Sequence, residues 1–443
     1  MVLFTLEITY CNFTQYNSSM NIPNTKKPRI VVIGGGFAGI SFIRKLKNIE
    51  AQVVLFDRNN YHTFQPLLYQ VSTAGLEPDS IAYPLRKIFR KHDDFHFRLA
   101  EVEHIDTESS TVITSVGKLS FDYLVIATGT RTNYFGNSSI ETHSMPMKNV
   151  PQALNIRSLM LQNIEKADIT DDPVERKCLL NFVIAGAGPT GVELAGALAE
   201  FRRSILKNDY PFIEREDMQV HLVEGSDRVL APMSSYASKK AKRFLEGMGV
   251  KVHLNTMVKS YDGKTVSTAD GKTFEAATFI WAAGVTGAPV KGIDGSALIE
   301  KQNRYIVNNF NLVEGYDNIY ALGDIALMKT GAFPDGHPQV AQPAIQQGRR
   351  LAVNIRRLFN GKMMKPFEYR DKGTMATIGR NKAVADIKKM HFGGIFAWVL
   401  WMVVHLFFLV GFRNRVVTFF NWTYNYINYD KAARLIIRPF RKP

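Results

Sequence analysis

Cysteine is nearly absent from this chain. Cys11 and Cys178 are the only two in 443 residues, with no C-x-x-C and no paired spacing. That argues against a redox-active disulfide and a metal site, and for a reducing compartment. Acid is also short, 40 Asp and Glu against 55 Lys and Arg, which leaves a formal charge of +15. Nucleic acid and anionic lipid are the usual partners of such a surplus. No nucleic-acid-binding module is found. The bases gather late instead, with seven Lys/Arg against Asp430 alone from Arg413 to Pro443, so an anionic lipid surface is the expected partner. Residues 1–25 hold neither a basic n-region nor a long apolar stretch, and no secretory signal is expected. Met20, just ahead of the first bases, is a candidate start beside Met1.

What is present is a pair of glycine patterns. The β-branched run RIVVI at Arg29–Ile33 reads as a buried strand and leads into Gly34, Gly36 and Gly39 in G-x-G-x-x-G spacing. Gly34 allows a tight turn and Gly36 the approach of a pyrophosphate. Gly39 allows close packing of the next helix, expected over 38–47. A second strand, 52–56, ends in Asp57, placed to accept from a ribose hydroxyl; this order of elements is a βαβ dinucleotide unit. The segment LLNFVIAGAGPTGVELAGALAE, 179–200, repeats the spacing at Gly186, Gly188 and Gly191. Its next strand, 219–223, ends in Glu224, 38 residues after Gly186 rather than the usual ~20. An acid there accepts from a free ribose 2′-hydroxyl and repels a 2′-phosphate.

Each half also has a later apolar strand closing on small residues. These are FDYLVIATG, with Thr128 and Gly129, and TFIWAAG, with Ala283 and Gly284. NIYALGDI, 318–325, ends in Gly323 and Asp324, and a helix is expected from Ala341. Residues 59–76 carry too many turn formers and aromatics for a regular element. A small meander is expected over 100–114 and a polar helical connection between domains over 146–174. The expected fold class is α/β, two Rossmann-like dinucleotide-binding domains plus a C-terminal helical membrane-anchoring segment. The boundaries are an extension at 1–25, a first nucleotide domain in two parts (26–150 and 311–380), a second at 151–310, and a membrane-association region at 381–443.

With both fingerprints, the ATG run and the late GD strand, the chain resembles the two-dinucleotide-binding-domain flavoprotein reductases. Within them it resembles the type II NADH:quinone oxidoreductases through NNYHTFQPLLYQV, GAGPTGVELAGAL, YALGD and AQPAIQQ. The resemblance implies FAD in the first unit and NADH in the second, nested as an insertion. Gly34, Gly36, Gly39, Asp57, Val102, Thr128, Gly129, Gly323, Asp324 and Ala341 are implied for FAD, with Val102 near the adenine and Asp324 at the ribityl or pyrophosphate region. Gly186, Gly188, Gly191, Glu224, Ala283 and Gly284 are implied for NADH. Glu193 would lie in the first turn of the second helix, reach toward nicotinamide and flavin, and act in turnover; the bland alternative is an acid that answers the helix dipole. Gln342 and Gln346, four apart on one helix face, would line the quinone side, with Gln342 acting in catalysis. Their bland alternative is to satisfy backbone at a domain seam.

The implied activity is hydride transfer from NADH to FAD, then two-electron reduction of a membrane quinone. No second long apolar segment or ladder of membrane carboxylates offers a path for proton pumping. A soluble-acceptor reductase of the same fold would lack the apolar C-terminus. A disulfide reductase or a sulfide:quinone oxidoreductase would need cysteines this chain lacks, and a non-enzymatic NAD- or flavin-sensing membrane scaffold would bind NADH without turnover.

Phe392–Phe412 is a run of 21 residues without formal charge, interrupted by His405 and long enough to span. Lys388 and Lys389 precede it while Arg413 and Arg415 follow, so neither side is marked as cytoplasmic. A monotopic helix with an interfacial tail is expected over a span, peripheral on the cytoplasmic face of the inner membrane. His405 is expected as a polar-face or headgroup residue. The identity of the quinone and a homodimer are left open.

Overall fold

The computed structural model describes residues 20–46, 48–299, 301–428 and 434–441; Met1, Cys11 and Asp430 lie outside them. β1 (Arg29–Ile33) is buried from its second residue on and runs into α1 (Phe37–Lys45). β2 (Gln52–Asp57) pairs with β1 in parallel, from Arg29↔Gln52 to Ile33↔Phe56. The stretch expected to be irregular is ordered. It forms a strand Tyr61–Thr63, paired with Ala82–Pro84, then a 3-10 turn Gln65–Leu67 and α2 (Leu68–Ser72). Packing is the reason. Phe64, Leu67, Leu68 and Tyr69 are buried in the main core, so tertiary contacts hold a segment that has no periodicity of its own.

β3 (Phe95–Leu99) and β4 (Tyr123–Ile126) complete this part of the sheet, with the antiparallel meander Val102–Asp106, Thr111–Thr114 and Gly117–Ser120 between them. α3 (Val150–Ile169) is more than a polar connection, since Ile156, Met160 and Ile164 are wholly buried. The second unit follows as β5 (Asn181–Ala185), α4 (Pro189–Phe201), β6 (Gln219–Val223), α5 (Ser235–Gly247), β7 (Val250–His253) and β8 (Thr278–Trp281). The chain then re-enters the first sheet as β9 (Ile319–Ala321) and continues into α6 (Ala341–Phe359).

The two parallel sheets run β9–β4–β1–β2–β3 and, from the short strand Met145–Pro146, β8–β5–β6–β7. In each, the strand before the glycine loop is central. On one side lies the strand that ends in an acid, on the other the strand that ends in small residues, so the internal duplication is geometric as well as sequential. A three-stranded antiparallel sheet follows, β10 (Thr374–Gly379), β11 (Lys382–Ile387) and β12 (Met390–Gly394), then α7 (Ile395–Phe408) and α8 (Phe412–Asn428).

The long apolar run is therefore not one helix. Its first residues finish β12, and Gly394 turns at φ +90°. The 14 residues of α7 reach ~21 Å, short of a ~30 Å hydrocarbon core. Among the described residues no helix is long and apolar enough to cross a membrane.

Candidate active site

The two glycine loops are built alike. A Cβ on Gly34 would lie 2.4 Å from the Ala127 carbonyl oxygen, and one on Gly39 2.0 Å from that of Gly34. In the second loop a Cβ on Gly186 would lie 2.6 Å from Ala283 Cα, and one on Gly191 1.8 Å from the Gly186 oxygen. Packing demands those four glycines. Gly36 and Gly188 differ: nothing lies within 4 Å of a Cβ at either, and each heads its helix with no side-chain cap. Open space over free helix N–H groups fits a pyrophosphate, so the residues suit a dinucleotide at both loops.

The acids return to the loops. Asp57 Oδ2 accepts from the Gly35 N–H and Glu224 Oε2 from the Ala187 N–H, each at 2.6 Å. The 38-residue distance is harmless because α4 is prolonged through a π-helical turn, Arg202–Leu206, before the chain enters β6. Glu224 Oε1 also accepts from the Ser226 amide and hydroxyl, at 2.9 Å each. Burial holds Asp57 above its ordinary pKa, against hydrogen bonds from Asn59 and Gly35 that lower it.

Val102 opens the meander beside Asp57, whose carbonyl accepts from Ala100 N–H at 3.0 Å. After β4, the Thr128 hydroxyl is buried without a hydrogen-bond partner among the described residues, as expected of a group that faces a cofactor. Gly129 follows at φ +69°. Ala283 packs on Gly186, and the Gly284 carbonyl accepts from Asn133 N–H at 3.1 Å. Gly323, at φ +74°, donates its N–H to Gln347 Oε1 at 2.7 Å. A Cβ there would press on Ala38 and Ala344, from α1 and α6. Ala341 begins α6, which also has no side-chain cap. Asp324 accepts from the Thr130 hydroxyl at 3.4 Å; burial pushes its pKa up, and the charges of Lys148 and Arg304 pull it down. Lys148 carried no signal in the sequence, being a single polar residue outside any motif, and Gln347 closes AQPAIQQ without anything in the motif marking it as the acceptor for Gly323.

Two spaces lie along α4. A narrow cleft of about 110 Å³, lined by Gln65, Leu68, Lys148, Thr190, Ala282 and Gly284 among others, separates the units. A larger cavity of about 1130 Å³ is walled in part by Tyr69, Glu193, Thr377, Trp401, Met402 and Trp422. Glu193 is the fifth residue of α4, past its first turn, and is 8% exposed. Its Oε1 accepts from the Thr377 N–H at 3.4 Å. Burial pushes its pKa up to about 8, while the Thr377 amide and the nearby Trp401 indole pull it down; among the described residues that indole N–H makes no well-formed hydrogen bond. Its carboxyl is thus mostly neutral at pH 7, and the helix dipole gives no account of it.

Gln342 and Gln346 have committed amides. Gln342 donates to the Gly373 carbonyl at 2.8 Å and accepts from Lys372 N–H at 3.1 Å; Gln346 donates to the Arg370 carbonyl at 2.9 Å and accepts from its N–H at 3.0 Å. Both satisfy backbone of the segment leading into β10, the bland alternative. The headgroup reading of His405 is corrected. Its ring stacks on Trp401 at 4.1 Å, meets Phe64 edge-on, and bonds the Trp401 carbonyl through Nδ1 at 2.8 Å. Burial lowers its pKa to about 4, so it is a neutral packing residue turned toward the body of the protein.

Two nucleotide units, each with an acid returned to its glycine loop and a shared cleft between them, define a pyridine-nucleotide flavoprotein reductase. Residues 28–348 match the pyridine nucleotide-disulphide oxidoreductase family, and 372–428 match the NDH2 C-terminal domain. The type II NADH:quinone oxidoreductase NdhA of Mycobacterium tuberculosis is 38% identical over 425 residues, 92% of this chain and 89% of the relative. Ndh from the same organism is 35% identical over 91% and 89%. The chain belongs to the type II NADH:quinone oxidoreductases, FAD enzymes that use NADH. The fold agrees with the structure of NDH2 from Plasmodium falciparum in complex with NADH, which is 22% identical at a TM-score of 0.84, covering 93% of this chain and 100% of that one.

Proposed function

We propose that this protein oxidises NADH with bound FAD and reduces a membrane quinone without pumping protons, lying on the cytoplasmic face of the membrane by its C-terminal helices. FAD, when bound, supplies the redox chemistry. Around it the first glycine loop, Asp57, Val102, Thr128, Gly129, Gly323, Asp324 and the start of α6 form the cradle. The second loop, Ala283, Gly284 and Glu224 hold NADH, with Glu224 turned against a 2′-phosphate. Glu193 acts from α4 as a neutral acid, and Gln342 and Gln346 are positioning residues that hold 370–373, and with it β10, against Glu193.

The observation that carries the membrane reading is one face of α7. Phe396, Val399, Val403 and Phe407 are 61%, 45%, 59% and 71% exposed, while Ala397 and Trp401 opposite are buried. α8 adds exposed Phe412, Phe419, Phe420 and Ile427. An apolar face on α7 and α8, neither of them long and apolar enough to span among the described residues, suits the lipid interface. Arg413 and Arg415 at the junction suit anionic headgroups, although Arg413 also lies 3.4 Å from Asp79, and Arg434 3.0 Å from Asp209. The test is sedimentation with anionic vesicles. Val403→Asp combined with Phe407→Asp should abolish binding and lower activity with long-tailed quinone, leaving NADH-driven reduction of a soluble dye intact. Vesicle binding that survives both charges would put the membrane surface elsewhere.

A further inference from the structure

We infer that the Tyr69 hydroxyl donates a hydrogen bond to a carbonyl oxygen of the quinone in the cavity beside Glu193, and that Gln70 and Trp422 are positioning residues that aim it. This rests on the quinone-reducing activity proposed above. The argument is one of donors and acceptors. An indole N–H can only donate, and that of Trp422 donates to Gln70 Oε1 at 2.8 Å. The orientation of the Gln70 amide is thereby fixed, so its Nε2 is what faces Tyr69 and donates to the phenol oxygen at 2.8 Å. Tyr69 accepts through that oxygen and keeps its own proton to give.

Among the described residues no side chain or backbone oxygen takes that proton. The residue is only 6% exposed and forms part of the cavity wall with Glu193, Trp401 and Trp422. A buried donor aimed into a cavity calls for an acceptor there. The phenol stays protonated, since burial, and then Glu193 and Glu200, raise its pKa well above the ordinary value. Trp398, Trp401, Trp422 and Met402 line the same space, flat apolar surfaces suited to a ring whose polar atoms are carbonyl oxygens. Gln342 and Gln346 cannot take this part while their amides are spent on 370–373. Trp422 lies on α8, so the aim of the hydroxyl depends on the helix that carries the exposed Phe419 and Phe420.

The test uses the full-length, FAD-loaded protein, Tyr69→Phe, and a short-chain quinone. Titration of the oxidised protein without NADH, read by tryptophan quenching, should show about five- to tenfold weaker quinone binding, the worth of one hydrogen bond. kcat/KM for quinone should fall by the same factor, with the NADH KM and the rate of flavin reduction unchanged. Trp422→Phe, which removes the donor that orients Gln70, should give a smaller loss, and the double variant should be no worse than Tyr69→Phe. Gln70→Leu gives a second route to the same loss should Tyr69→Phe fold poorly. Wild-type-like quinone affinity in Tyr69→Phe, or an equal slowing of both half-reactions, overturns the assignment. A wild-type protein unreactive toward quinone overturns the functional reading and this assignment together.

Discussion

Glu193→Gln should make the protein more stable at neutral pH while it slows turnover. Burial raises the folded-state pKa of Glu193 to about 8 from an ordinary 4.5. Because the folded value is the raised one, stability is full below about pH 4.5 and is lost as pH rises through 8. Each pH unit in that window is worth ~1.4 kcal/mol, so keeping the acid protonated at pH 7 costs about 3 kcal/mol. Glutamine copies the neutral carboxyl and still accepts from the Thr377 N–H, without that cost. Urea midpoints measured at pH 5, 7 and 8.5, at one fixed FAD concentration, should show the variant pulling ahead of wild type as pH rises and levelling off above about 8. FAD should stay bound. A stability difference that does not change with pH, or a wild type that gains on the variant at high pH, would mean that Glu193 is ionised in the fold.

Gly36→Val should fold yet lose FAD, because φ −77° at Gly36 suits any residue and only the cofactor competes for the space; absorbance at 450 nm per mole of protein checks it. Glu224→Gln should narrow the preference for NADH over NADPH in kcat/KM by removing the charge while keeping an acceptor for the Ala187 N–H. Gln342→Ala removes two hydrogen bonds to 372–373, ~1 kcal/mol each. It should slow flavin reoxidation by quinone several-fold with reduction by NADH nearly unchanged, as read by stopped flow.

Both nucleotide units were legible in the sequence because each rests on local rules. Gly34 and Gly39 are glycine for backbone contacts within one βαβ unit, Gly36 for the open space above it, and Asp57 and Glu224 come at strand ends. What was illegible depends on contacts between distant segments. The 59–76 stretch has no periodicity, yet Phe64, Leu67 and Leu68 are fixed by the core. Tyr69 and Gln70 lay inside a family motif but gained a role only when Trp422, more than three hundred residues later, came beside them. The apolar run at the C-terminus was visible as composition, but its division at Gly394 into strand and helix was not, and His405 turns inward because Trp401 and Phe64 receive it. Gln342 and Gln346 share a helix face as their spacing implied; only the fold shows that face occupied by the backbone of 370–373.

Anaerobic stopped flow on purified wild-type protein follows electrons from NADH through the flavin to quinone. NADH should bleach the flavin absorbance, NADPH should do so far more slowly, and quinone added to the reduced protein should restore the colour at a rate that sustains turnover. Bleaching by NADH with no recovery on adding quinone would rule out quinone as the acceptor and leave a reductase of some other acceptor.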